Sequence, residues 1–326
     1  MNTARPALPG AASRPSTAEL PRWAFMLLLI VIVLAWGTTW MVIKTIVLAV
    51  PPFWTTTIRS AIATVALLGL QLAMGQFVVP RRGDLPVVVV MSLFHMIAFS
   101  VLITTGLKYV PVGRSMVLAY TMPLWVVPGA WLFLREATPP IRLLGLALGV
   151  AGLLIMFNPL TFDWSNGQAL YGNGLLLLSA LAWSISIVYV RAHVWVSSPF
   201  QMVFWQALLA TLVLSVLALW AEGAPAIDWS PRLAGSLAYA GLIGSALAFW
   251  AMNEVNRRLP ATTTALGVLA TPVVGIVGSA LFLGEALDPP LVIAAAMILG
   301  GIAVGTIKPP GRDAHPTSRS NQSLGN

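Results

Sequence analysis

VGRSMVLAYTMPLWVVPGAWLF, residues 112–133, is an apolar stretch of helix length with a proline, Pro123, at its midpoint. It closes in Leu134-Arg135-Glu136-Ala137-Thr138-Pro139-Pro140. The pattern returns at residues 261–282, ATTTALGVLATPVVGIVGSALF, which carries Pro272 at its midpoint and closes in Leu283-Gly284-Glu285-Ala286-Leu287-Asp288-Pro289-Pro290. A proline inside a helix removes one backbone hydrogen bond and clashes with the preceding turn. Each stretch therefore reads as a helix interrupted at mid-depth, and the interruption is duplicated.

The surrounding chain is too apolar for a soluble surface. Of its 326 residues 58% are apolar and 9% charged, against roughly 25% charged in a soluble domain. Ten stretches have the roughly 20 apolar residues that a membrane span needs: 24–49, 53–74, 86–108, 112–133, 140–157, 171–190, 199–220, 232–253, 261–283 and 289–307. The net charge of +8 comes from basic residues placed singly or in pairs between spans. They read as topology signals and not as a nucleic-acid stripe. With the N-terminus inside, 13 Lys and Arg fall on the inner side and 4 on the outer, Arg59 lying within a span. The positive-inside rule then puts both termini in the cytoplasm of a bacterial inner membrane. Residues 1–21 and 308–326, rich in Pro and Ser, read as disordered cytoplasmic tails.

The duplication extends beyond the prolines. Leu34-Ala35-Trp36-Gly37-Thr38-Thr39-Trp40 matches Leu181-Ala182-Trp183-Ser184-Ile185-Ser186-Ile187, and Ala63-Thr64 matches Ala210-Thr211, both at an offset of 147. From Pro111 with Pro260 onward the offset is 149. The fold class expected is an all-α integral membrane protein, with repeats over 22–158 and 159–307. Each repeat has five spans, an odd number, so the two lie in opposite orientations. That is the inverted-repeat plan of secondary transporters, with a substrate cavity near midplane between the repeats.

On these residues the chain resembles the EamA branch of the drug/metabolite transporter superfamily. The Trp36 and Trp183 segments, the mid-span Pro123 and Pro272, and the Glu-Ala turn before a double proline carry the resemblance; the second turn has one residue more than the first. The resemblance implies a basket of spans 1–4 and 6–9 around a central cavity, with spans 5 and 10 to one side. It also implies export of amino acids or related metabolites, aromatic amino acids among them.

Candidate site residues follow from depth and recurrence. Pro123 and Pro272 are expected as paired hinges whose freed carbonyls face the substrate, against the simpler reading of static kinks. His95 is the one histidine within a span; Ser92, His95, Phe99 and Leu102 share its face. An ionisable group at that depth marks a functional site by default, and the alternative is a neutral imidazole bonded to a facing helix. Arg59 either snorkels to the interface or offers its fork to a substrate carboxylate. Trp36 with Thr39, and Trp183 with Ser186, are matched aromatic–hydroxyl pairs suited to a cavity wall. Tyr120, Tyr239 and Trp250 are candidates of the same kind. Glu136 and Glu285 read as fixing their turns. Gly145, Gly149, Gly301 and Gly305 form small-xxx-small patterns for close helix packing, within the bundle or in a weak homodimer.

Other function classes lack their residues. There is no phosphate-binding Gly-Lys-Ser loop, so ATP does not drive the protein directly. Without cysteine there is no thiolate cluster or thiol nucleophile, and no metal or cofactor is expected. A membrane-embedded enzyme would need several catalytic groups at one depth, where His95 stands alone. The expectation is a monomeric or weakly dimeric secondary transporter for a small molecule. Drug, sugar and nucleotide-sugar carriage remain as alternatives.

Overall fold

The computed structural model describes residues 21–136, 138–158 and 163–306; the two tails expected from the sequence fall outside them, apart from Pro21. The chain forms α1 (Arg22–Val47), α2 (Pro52–Ala73), α3 (Leu85–Gly106), α4 (Val112–Leu134), α5 (Pro140–Met156), α6 (Gly167–Ala192), α7 (Pro199–Glu222), α8 (Pro231–Arg258), α9 (Ala261–Val268 with Ala270–Leu283) and α10 (Pro289–Thr306). Among the described residues nine helices are long and apolar enough to cross a membrane, and α5, with 17 residues, is a shorter apolar helix. Among the described residues there is no strand. The structure is thus the expected ten-helix bundle.

Local chemistry sets the helix ends. Pro52, Pro140, Pro199 and Pro231 occupy first helical positions, where the missing N–H has no helical partner to lose. Asn166 starts α6 four residues earlier than hydropathy alone places it, because its Oδ1 accepts from Ala169 N at 3.0 Å. α8 runs five residues further than expected, to Arg258, since nothing breaks it before Pro260.

The mid-span prolines do more than kink their helices. α4 divides into Val112–Ala119 and Met122–Leu134, and α9 into Ala261–Val268 and Ala270–Leu283. Ala119 and Val268 are each four residues before the proline, which is where the lost hydrogen bond falls. A second paired irregularity has no counterpart in the sequence reading. Met91–Phe99 of α3 and Tyr239–Leu247 of α8 are both nine-residue π-helical segments, 148 residues apart.

Two helix pairs join the repeats through equivalent elements. α2 lies on α7, where Thr64 Oγ1 and Thr211 Oγ1 are 3.0 Å apart and Ser60 Oγ and Thr211 Oγ1 2.8 Å. α5 lies on α10 so closely that a Cβ at Gly145 would sit 2.3 Å from Gly301 O. The small-residue patterns are therefore used inside the bundle. On α1, Met26, Leu27, Ile30, Val31 and Leu34 form an exposed apolar stripe, while Phe25, Leu29, Ile32 and Val33 are buried. Such a stripe suits hydrocarbon and not water.

Candidate functional site

A cavity of about 170 Å³ lies at the centre of the basket formed by α1–α3, α6–α8 and the break in α4. Trp36, Thr39, Trp40 and Ile43 of α1 line it at helical spacing, so one face of α1 forms a continuous wall. α2 contributes Thr56, Arg59 and Ser60, and α3 contributes His95, Met96, Phe99 and Ser100. From the second repeat come Trp183, Ala207, Gly244, Ser245 and Phe249. Both π segments reach the cavity, where Met96 and its repeat equivalent Gly244 are both in the lining. π segments recur at functional sites, because the extra residue re-aims the side chains that follow.

Aromatic rings form one side. The His95 ring stacks on Phe99 with centroids 5.5 Å apart, Phe99 lies 4.8 Å from Trp183, and Tyr120 meets Trp183 edge-on at 5.9 Å. The Nδ1 of His95 is buried without a hydrogen-bond partner. The same cavity is also lined by hydroxyls and one cation. Thr56 Oγ1 donates to Thr104 Oγ1 at 3.2 Å, and half-buried Arg59 lines the wall with no carboxylate paired to it among the described residues. The cavity is therefore an apolar, ring-walled space holding one uncompensated positive charge. A buried layer separates it from the face that bears Pro111: Ile46, Val47, Val50, Leu107, Val110 and Val112 are each 3% exposed or less.

Residues 23–158 and 170–306 each match the EamA-like transporter family. The chain belongs to that family. Its similarity to the "Uncharacterized transporter YoaV" of Bacillus subtilis (strain 168) is 26% identity, covering 86% of this chain and 96% of that protein. "Uncharacterized transporter YvbV" of the same organism is 26% identical over 89% of this chain and 94% of its own length. A "Riboflavin transporter" of Rhizobium johnstonii is 32% identical over 35% of this chain and 36% of that protein. A solved crystal structure matches the fold with a TM-score of 0.61 at 23% identity, covering 88% of this chain and 97% of that one.

Within this EamA fold, Trp36, Thr39, Arg59, His95, Phe99, Tyr120 and Trp183 stand together at the cavity. Three other candidates stand elsewhere. The Ser186 hydroxyl donates to Trp183 O of its own helix at 2.6 Å. The Tyr239 hydroxyl pairs with Thr38 Oγ1 at 2.7 Å, tying α8 to α1. Trp250 packs among Phe25, Leu29 and their neighbours, its Nε1 buried and unpartnered. Pro123 and Pro272 lie outside the lining, and it is the Tyr120 turn before Pro123 that reaches the cavity. Trp40, Thr56, Ser60, Ser245 and Phe249 line it without having been singled out. For Trp40 a signal was present, since it continues the Trp36–Thr39 spacing.

Glu136 and Glu285 do more than close their turns. Glu285 accepts from Val112 N at 2.7 Å and Gly113 N at 3.1 Å, capping the start of α4 across the bundle. Glu136 instead meets Arg191 at 2.6 Å and Arg142 at 3.9 Å. At the rim of the bundle, Asp84 accepts from Arg81 N, Ser197 N and Ser197 Oγ at 3.1, 3.0 and 2.8 Å. Burial, the largest single influence, pushes its carboxyl up. The hydrogen bonds from Ser197 and Arg81, with nearby His193, together hold it below the usual aspartate value.

Proposed function

We propose that the protein exports amino acids or related small metabolites across a bacterial inner membrane by alternating access, with both termini cytoplasmic. The observation that carries the reading is the unpaired Arg59 in one cavity with the His95–Phe99–Tyr120–Trp183 rings. A buried cation without a partner is expensive unless a ligand supplies the counter-charge. A guanidinium matches a carboxylate in geometry, and the rings suit the apolar part of the same molecule. Size agrees with a small substrate, since a dry cavity of about 150 Å³ takes up a benzene ring. In this reading the divided helices α4 and α9 are the moving gates, hinged at the breaks before Pro123 and Pro272. The chain works as a monomer or weak homodimer, because the glycine seams are spent within the bundle.

Counterflow in proteoliposomes tests the assignment with a panel of radiolabelled amino acids, uncharged sugars and riboflavin. Movement of a carboxylate-bearing substrate that is lost in Arg59→Gln supports it. Movement of sugars or riboflavin alone, with no amino acid carried, overturns the substrate class.

A further inference from the structure

We propose that two cation–carboxylate pairs, Lys44–Glu285 on the Pro111 face and Arg191–Glu136 on the Pro260 face, are made alternately, each while its own face is open, and that a face is latched shut when its carboxylate passes to the first amides of the facing helix. The proposal rests on the alternating-access reading above and adds to it the residues that hold each state.

The two sets are equivalent by the repeat. Lys44 and Arg191 are 147 residues apart, and Glu136 and Glu285 are 149 apart. Their backbones match. Arg135 and Gly284 both end their helices in the left-handed region, at φ 54° and 68°. Glu136 N then donates to Ala130 O, and Glu285 N to Ser279 O, each at 3.3 Å. Two carboxylates presented by the same turn nevertheless do different things. Glu285 sits on the first amides of α4, while Lys44, within electrostatic reach of it, donates to Leu107 O and Val110 O at the end of α3. Glu136 sits on Arg191 itself.

The packing differs in the same sense. On the Pro111 face the first half of α4 lies on the second half of α9. A Cβ at Gly113 would be 3.5 Å from Ser279 Oγ, and one at Gly275 would run into Met116. The inverted counterpart, Ala261–Val268 against Met122–Leu134, is at most glancing among the described residues. The structure is thus the state latched on the Pro111 face. Exchanging the two repeat conformations gives the other state. Glu136 moves to the first amides of α9, which the 149 offset places at Ala261 and Thr262. Arg191 moves to the carbonyls ending α8, and Lys44 closes on Glu285. Each carboxylate passes from amides to a cation or back, so no charge is left without a partner at either end of the cycle.

Neutralising the cations separates this exchange from a static tie. Glutamine keeps a donor for the helix-end carbonyls and removes the charge. Spin labels go on Lys108→Cys and Leu287→Cys, both exposed on the Pro111 face, in a chain that has no other cysteine. Their separation is read by double electron–electron resonance in proteoliposomes. The wild-type background is expected to give a short and a long distance. Lys44→Gln raises the short-to-long ratio by about fivefold or more, Arg191→Gln lowers it by as much, and the double variant returns near the starting ratio. If Lys44 only ties α1 to α3, its loss loosens this face and the ratio falls. That result, or two distances with unchanged ratios, overturns the exchange alone. One distance in all variants overturns the alternating-access reading with it.

Discussion

Arg59→Met is expected to make the protein more stable and less able to transport. Arg59 lies seven residues into α2 from Pro52, or about 10 Å below the helix start at 1.5 Å per residue. An arginine at the bilayer centre carries a penalty of about 2.5–3.5 kcal/mol on insertion scales. Arg59 is short of the centre and half-buried beside a cavity, so about 1–2 kcal/mol is a fair share. No carboxylate among the described residues offsets it, and a thioether would relieve it. For domains of 150–250 residues each kcal/mol shifts Tm by about 2–4 °C, so the midpoint in detergent should rise by roughly 2–8 °C. A hydrogen bond to a charged group contributes about 1.5–3 kcal/mol, so the apparent affinity for a carboxylate substrate should fall roughly 10- to 100-fold. Arg59→Lys, which keeps the charge without the fork, should lie between the two. Thermal unfolding followed by tryptophan fluorescence, with counterflow on the same preparations, measures both effects. A variant that melts lower than wild type and transports normally would refute the reasoning and return Arg59 to a structural role.

Pro123→Ala and Pro272→Ala restore the missing N–H and should straighten α4 and α9; transport is expected to drop severalfold while the detergent melting point holds or rises. Unchanged flux in both variants removes the hinge. Gly145→Ala places a methyl 2.3 Å from Gly301 O, so α5 and α10 must part by about an ångström; overpacking of this kind costs about 1–3 kcal/mol, read as a lower melting point. Asp84 has its folded pKa depressed, so its contribution is fully present above the unfolded value near 4 and is lost as pH falls through the folded value. Asp84→Asn should lower stability at pH 7 by about 1–3 kcal/mol and flatten the loss of stability below pH 4, measured as melting point against pH.

What could be read from the chain was whatever depends on local chemistry. The divisions at Ala119 and Val268 follow from the geometry of proline, and the α1 wall from helical spacing at Trp36, Thr39, Trp40 and Ile43. The π segments were not legible, since Met91–Phe99 and Tyr239–Leu247 share no residue pattern that marks an i→i+5 register. Nor was the unequal use of equivalent positions. Trp183 lines the cavity as Trp36 does, but Ser186 does not where Thr39 does, although both hydroxyls donate to a carbonyl of their own helix. A repeated sequence specifies equivalent side chains. It does not specify which of two conformations each repeat adopts, and the fates of Glu136 and Glu285 depend on that choice.

The hydroxyl contact between Thr64 and Thr211 joins a residue to its own counterpart. Each also returns a hydrogen bond to the carbonyl four residues before it, Ser60 O and Ala207 O, at 2.8 Å. A contact of this kind maps onto itself when two inverted halves trade shapes, so it has no second partner to find and no distance to travel. In the proposed exchange of gates, the Thr64–Thr211 contact is therefore the point about which the two halves trade shapes while the α2–α7 seam keeps its register.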